Sequence, residues 1–150
     1  GWSAGRLLVL AALGAAVVSA PLTARFVTVP KQDMPGALGF IADHEATDAT
    51  VAAIFIASKP ARYYADQLAP GQTLVDARST DALDAARAAS ERPVIAVSTF
   101  HRALAAAEPT LDQALRRDFE EIARFPGTVG DGAVTVWRER VTPSEAVPPR

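Results

Sequence analysis

The sequence predicts an α/β domain. Its expected core is a small, mostly parallel sheet of about four strands with helices on both faces, a Rossmann-like three-layer arrangement. An apolar N-terminal helix is expected to precede it. Short apolar runs alternate with segments of helical period, and parallel strands need helical crossovers. The stretch from Leu7 to Ala24, between Arg6 and Arg25, carries no charge. The 150 residues suit one domain with a real core, and no repeat of solenoid length is present.

As a helix, those eighteen residues would reach about 27 Å, close to the roughly 30 Å of a hydrocarbon core. Leu7, Leu8, Val9, Leu10, Val17 and Val18 would lie on all sides, with no polar stripe. Trp2 stands just outside, suited to the headgroup zone. A membrane span is the expectation. A secretion signal, with Arg6 as its basic end and Val18-Ser19-Ala20 as its cleavage site, is a second reading, and a buried helix of a soluble protein is a third. The first residue, Gly1, is not Met, as expected of a piece of something longer. The expected division is 1–25 for the apolar helix, 26–142 for the α/β domain, and 143–150 for a proline-rich disordered tail.

The elements follow in order. Asp33 is suited to cap a helix over "MPGALGFIADH", with Pro35 in the first turn and Leu38, Ile41 and Ala42 on one face. "TVAAIFIAS" (Thr50–Ser58) has the continuous apolar character of a strand buried on both faces. "KPARYYADQL" should be helical after Pro60, and "GQTLVDA" reads as a short strand. Ser79 or Thr80 caps an alanine-rich helix, and "RPVIAVST" is a second strongly apolar strand. In "PTLDQALRRDFEEIARF", Leu111, Leu115, Phe119, Ile122 and Phe125 recur at spacings of three and four, which predicts one long amphipathic helix. On it, Arg116 with Glu120 and Arg117 with Glu121 would form solvated pairs. "GTVGDG" reads as a helix end and turn, and "AVTVWRER" as an edge or final strand.

Charge narrows the function. The net charge is −2, and of the fifteen basic residues only Arg6 and Arg25 precede Lys31, while all seventeen acids follow it. A mildly acidic body argues against a nucleic-acid partner, which would require a basic face. With no cysteine there is no disulfide, thiolate metal site or cysteine nucleophile. The cluster Asp43, His44, Glu45 and Asp48 lacks metal-ligand spacing and reads as a solvated helix end. No metal or cofactor is expected.

Two groups are candidates for ligand contact, because open α/β sheets bind ligands at the carboxyl ends of their strands. Lys59, Arg62, Tyr63 and Tyr64 follow the first apolar strand, where two cations beside two tyrosines suit a phosphate, sugar ring or lipid headgroup. Ser98 and His101 follow the second. Neither an elbow motif nor an orienting acid accompanies them, so no catalytic residue is assigned.

The order of an apolar span, "PKQDMPGALGFIADH" (Pro30–His44), "ATVAAIFIASKPARYY" (Ala49–Tyr64) and a closing "GAVTVWRER" (Gly132–Arg140) resembles the carboxyl-terminal end of polytopic C-fold glycosyltransferases. These include the protein mannosyltransferases and aminoarabinose transferases, which use polyprenyl-phosphate-linked sugars. The resemblance implies a last transmembrane helix followed by a non-catalytic extracytoplasmic domain. Its implied partners are membrane lipid, the remaining transmembrane part of the enzyme, and a glycan or lipid-linked acceptor. The catalytic carboxylate of such enzymes lies in an early loop with no counterpart among these residues. A self-contained exported or membrane-anchored module that binds a small ligand is the alternative.

Overall fold

The computed structural model describes residues 31–127 and 130–140, together with Gly5, Gly14, Ala15, Val17 and Ser19. Those five positions are helical and exposed. The rest of the helix expected over 1–25, and the tail expected over 143–150, lie outside the described residues. Among the described residues no helix is long and apolar enough to cross a membrane.

Helix α1 (Met34–His44) begins as its sequence dictates. The Asp33 carboxylate accepts the Gly36 N–H at 3.0 Å, and Pro35 occupies the first turn. Met34, Leu38 and Ile41 are fully buried by it. Strand β1 (Thr50–Ile54) follows, then a single 3-10 turn at Phe55–Ala57 and α2 (Ser58–Tyr63). β1 therefore stops four residues before the end of its apolar run. After a second 3-10 turn come β2 (Thr73–Ala77) and α3 (Thr80–Ala89), the latter capped by Ser79 on the Ala82 N–H. The chain continues through β3 (Ile95–Thr99), α4 (His101–Ala107), α5 (Pro109–Asp118), β4 (Phe119–Phe125) and β5 (Val134–Glu139).

The sheet has five strands in the order β2-β1-β3-β5-β4. β2, β1 and β3 are parallel, while β5 runs antiparallel to both β3 and β4. The sheet is thus mixed, with one strand more than expected. The extra strand is β4, the second half of the segment expected to be one helix. Phe119 and Phe125, six residues apart, would share a face of a regular strand. A bulge between Glu121 and Ala123 prevents this. Phe119 packs into the core on one face of the sheet, and Ala123 and Phe125 into the core on the other. A bulged strand serving two cores imitates helical spacing. Because the helix ends at Asp118, the expected Arg–Glu pairs do not form; Arg116 pairs with Asp112 at 2.9 Å and Arg117 with Asp118 at 2.7 Å. For the same reason "GTVGDG" joins two strands rather than ending a helix, and β5, the last strand in chain order as expected, lies inside the sheet and not at its edge.

Strand alternation divides the apolar residues between the faces. Val51, Ala53, Ile95, Val97, Val134 and Val136 meet α1 and α2. Ala52, Ile54, Ala96 and Trp137 meet α3, α4 and α5 through Leu83, Leu104, Leu111 and Leu115. Three layers result, as expected.

At the carboxyl edge, where β1, β2 and β3 end, β4 also ends and β5 begins, since Val134 pairs with both Thr99 and Phe125. The chain reaches the domain at this same edge. A Cβ on Gly127, in the β4–β5 connection, would collide with the Gly132 carbonyl oxygen and lie 2.8 Å from that of Lys31. Glycine is required there so that three backbone segments can meet.

Candidate functional site

The connection leaving β1 crosses the α1/α2 face toward β2, and the one leaving β3 crosses the opposite face toward β4. Adjacent parallel strands whose connections diverge open a crevice at their carboxyl ends. Both strands end in the same way. Phe55 (φ 52°) follows β1 and Phe100 (φ 53°) follows β3, each in the left-handed region that costs a non-glycine residue about 1 kcal/mol or more. Local bonds hold each turn. The Ser58 hydroxyl donates to the Phe55 carbonyl at 3.0 Å. The Phe100 N–H donates to the Asp131 carbonyl at 3.1 Å, and the Arg102 N–H to the Asp131 carboxylate.

The candidates following β1 do not converge. Lys59 lines an open cleft of about 290 Å³ with Phe55, Ile56, Ser58 and Arg78. Arg62 instead pairs with Asp76 at 2.6 Å. Tyr63 is 80% exposed, so it contributes little to a closed pocket, and its ring meets that of Tyr64 edge-on at 4.8 Å. Tyr64 packs against the core of the α1/α2 face. The sequence placed Arg62 and the tyrosines beside Lys59 but missed Arg78. Its signal was its position directly after "TLVDA", at the same edge as Lys59.

Ser98 and His101 lie close together on the other face, each with its own partner. Buried Ser98 accepts the indole N–H of Trp137 at 2.7 Å. His101 Nε2 lies 3.0 Å from the Thr135 hydroxyl, and its ring meets Trp137 edge-on with centroids 5.9 Å apart. Burial holds the His101 imidazole below its ordinary pKa, against the opposing pull of Asp131 and with Arg124 and Arg116 adding to the depression. It is therefore a neutral ring at pH 7. Among the described residues its Nδ1 and the buried Thr99 hydroxyl have no hydrogen-bond partner. Thr135 and Trp137 were not singled out from sequence, although their alternation in "AVTVWRER" puts them on one face of a strand.

The acidic cluster after α1 is divided among separate tasks. The Glu45 carboxylate accepts from Arg138 at 2.5 Å, Asp48 pairs with Arg92 at 2.7 Å, and His44 stacks on Phe40. The described residues contain no group of three metal-ligating side chains. No protein-family model matches the chain, and comparison with curated proteins and with solved structures finds no match.

Proposed function

We propose that this chain is the extracytoplasmic, carboxyl-terminal α/β domain of an integral-membrane glycosyltransferase that takes its sugar from a polyprenyl-phosphate donor. Residues 7–24 are its last span, and the chemistry belongs to the membrane part. The observation that carries this reading is how the resembling segment Pro30–His44 joins the domain. The Lys31 backbone packs on Gly127, Asp33 caps α1, and Met34 is already in the core. Only a few residues separate the apolar stretch from a rigid domain, so the domain is held at the membrane surface. Ser98 and His101, each bonded to a structural partner, fit a domain that positions rather than reacts.

Fractionation tests the reading. An antibody against residues 31–142 should detect a polypeptide much larger than 15.7 kDa that resists alkaline extraction of membranes. A soluble band of 15.7 kDa or less would sink it.

One observation favours the second reading, a self-contained ligand-binding module: the cleft that Lys59 and Arg78 share beside Phe55. On that reading, replacing both cations with Ala abolishes binding of a small anion to an otherwise intact chain.

A further inference from the structure

The two outermost strands of the sheet are finished differently. On one side β4 carries the bulge between Glu121 and Ala123, with Glu120, Glu121 and Arg124 along its seven residues. Bulges and charges keep an exposed strand from pairing with another chain. On the other side β2 has no bulge. Its residues Thr73–Ala77 pair with Thr50–Ile54 in unbroken register, and its one charge, Asp76, is bound by Arg62 at 2.6 Å and lies 3.9 Å from Arg78. The Thr73 N–H donates to the Ala49 carbonyl at 3.0 Å, so Thr73, Val75 and Ala77 turn their backbone groups to β1. Those of Leu74 and Asp76 point away from the sheet, and among the described residues they have no partner. Leu74 and Val75 are only half-buried, one packing toward each face.

We infer that β2 pairs, antiparallel, with β2 of a second copy of this chain, across a two-fold axis at Val75. The outward groups of Leu74 and Asp76 lie symmetrically about Val75. A two-fold there sets each Leu74 opposite the second copy's Asp76 and closes about four backbone hydrogen bonds. Charge and bonding fix that register. Sliding one copy by two residues in one direction sets Asp76 against Asp76, and like charges directly opposite repel. Sliding it in the other direction calls on Gln72, whose N–H already donates to the Ala69 carbonyl at 3.0 Å. With the axis at Val75 each Asp76 keeps the cations of its own copy, so no charge is stripped of its partner. The axis runs through the sheet from face to face, so the two Lys31 ends point in opposite directions along the strands. On a single bilayer the joined sheet would therefore lie parallel to the surface.

The chain has no cysteine, so single cysteines report the contact. On the axis, the two Val75 positions face each other without backbone bonds, their Cα atoms about 4.5 Å apart, a distance that a disulfide spans. The two Thr73 positions stand about 13 Å apart along the strands, beyond that range. Thr73 is nonetheless the more exposed of the two. Val75→Cys, Thr73→Cys and, on β4, Glu121→Cys are each mildly oxidised in the full chain in detergent and run without reductant. The expected result is a linked dimer several-fold more abundant for Val75→Cys than for either control. Adding Leu74→Pro removes an outward N–H and no bond to β1, and should cut that linkage several-fold at an unchanged circular dichroism spectrum. Were the spectrum to change, the comparison of positions 73, 75 and 121 decides alone. Equal linkage at 73 and 75 would mean random collision and overturns the pairing, as does a Val75→Cys chain that stays monomeric. Linkage that a folded Leu74→Pro chain retains in full overturns the strand contact. None of these results bears on the span of residues 7–24, which alkaline extraction reads separately.

Discussion

The bond between Trp137 and Ser98 allows a quantitative test of whether Ser98 is structural. The indole N–H lies 2.7 Å from the Ser98 hydroxyl, Ser98 is fully buried, and Trp137 is 7% exposed. Ser98→Ala removes one oxygen and leaves that N–H without an acceptor, which costs about 1–3 kcal/mol. Trp137→Phe removes the donor and part of a ring that also meets His101, at a cost of about 2–3 kcal/mol. In Ser98→Ala/Trp137→Phe no donor is orphaned, so the combined cost should fall short of the sum by about 1–2 kcal/mol. Urea unfolding of the full chain in mild detergent, followed by far-ultraviolet circular dichroism, measures all three. With a slope of about 1–3 kcal/mol per molar urea, Ser98→Ala alone moves the midpoint down by roughly 1 M. Strict additivity would mean that the two side chains are uncoupled. An unchanged midpoint would mean that the bond to Trp137 does not hold the fold together and would leave Ser98 free for the ligand contact expected of it.

Other expectations are as direct. Gly127→Ala forces a Cβ into the Gly132 and Lys31 carbonyls, neither of which is a side-chain tip that can swing away; it should cost about 1–3 kcal/mol by urea unfolding and expose the amides around Lys31 to hydrogen exchange. Arg87 binds Glu139 at 2.6 Å and reaches Asp118 and Asp84 at 3.3 Å, so Arg87→Lys, which lacks the planar fork, should lose about 1–2 kcal/mol in the same assay. Arg117 first, and Arg87 after it, hold the Asp118 carboxyl below its ordinary value; that stabilisation is present above the ordinary carboxylate range and disappears as pH falls through the lowered folded value. Arg117→Ala should therefore move acid unfolding to higher pH. For His101 the depressed imidazole makes the unfolded chain bind more protons just below the ordinary value of 6.5, so stability rises with pH through that window and is fully present above it. Ring-proton NMR should show a midpoint below 6.5 for His101, and a midpoint at or above 6.5 would contradict the burial argument.

Much of the fold could be read from local signals, because the physics there is local. The Asp33 and Ser79 caps are short-range bonds, made from side chains to N–H groups three residues on. The strands β1 and β3 are apolar on both faces because both faces are covered, and the sequence shows it directly. The error fell where the deciding interaction is distant. Leu111 and Leu115 are on a helix, and nothing between Arg116 and Phe119 resembles a stop. The helix ends because β5 offers every residue of Phe119–Phe125 except the bulged Ile122 a ladder partner nine to twenty residues downstream. Helix propensity, tenths of a kcal/mol per residue, does not outweigh that ladder together with two cores to fill.

The site divides along the same line. Proximity in sequence grouped Lys59, Arg62, Tyr63 and Tyr64, but Tyr63 is left exposed, Tyr64 packs on the core, and Asp76 on β2 draws Arg62 into a separate pair. Proximity in the sheet groups Lys59 with Arg78, nineteen residues away, because parallel neighbours end at the same edge. It also brings Lys31 to the β4–β5 connection, which lies nearly a hundred residues further on. An edge assembled from five separate loops leaves no motif in any of them. Which of its side chains come together emerges only once the topology has stated which loops share an end.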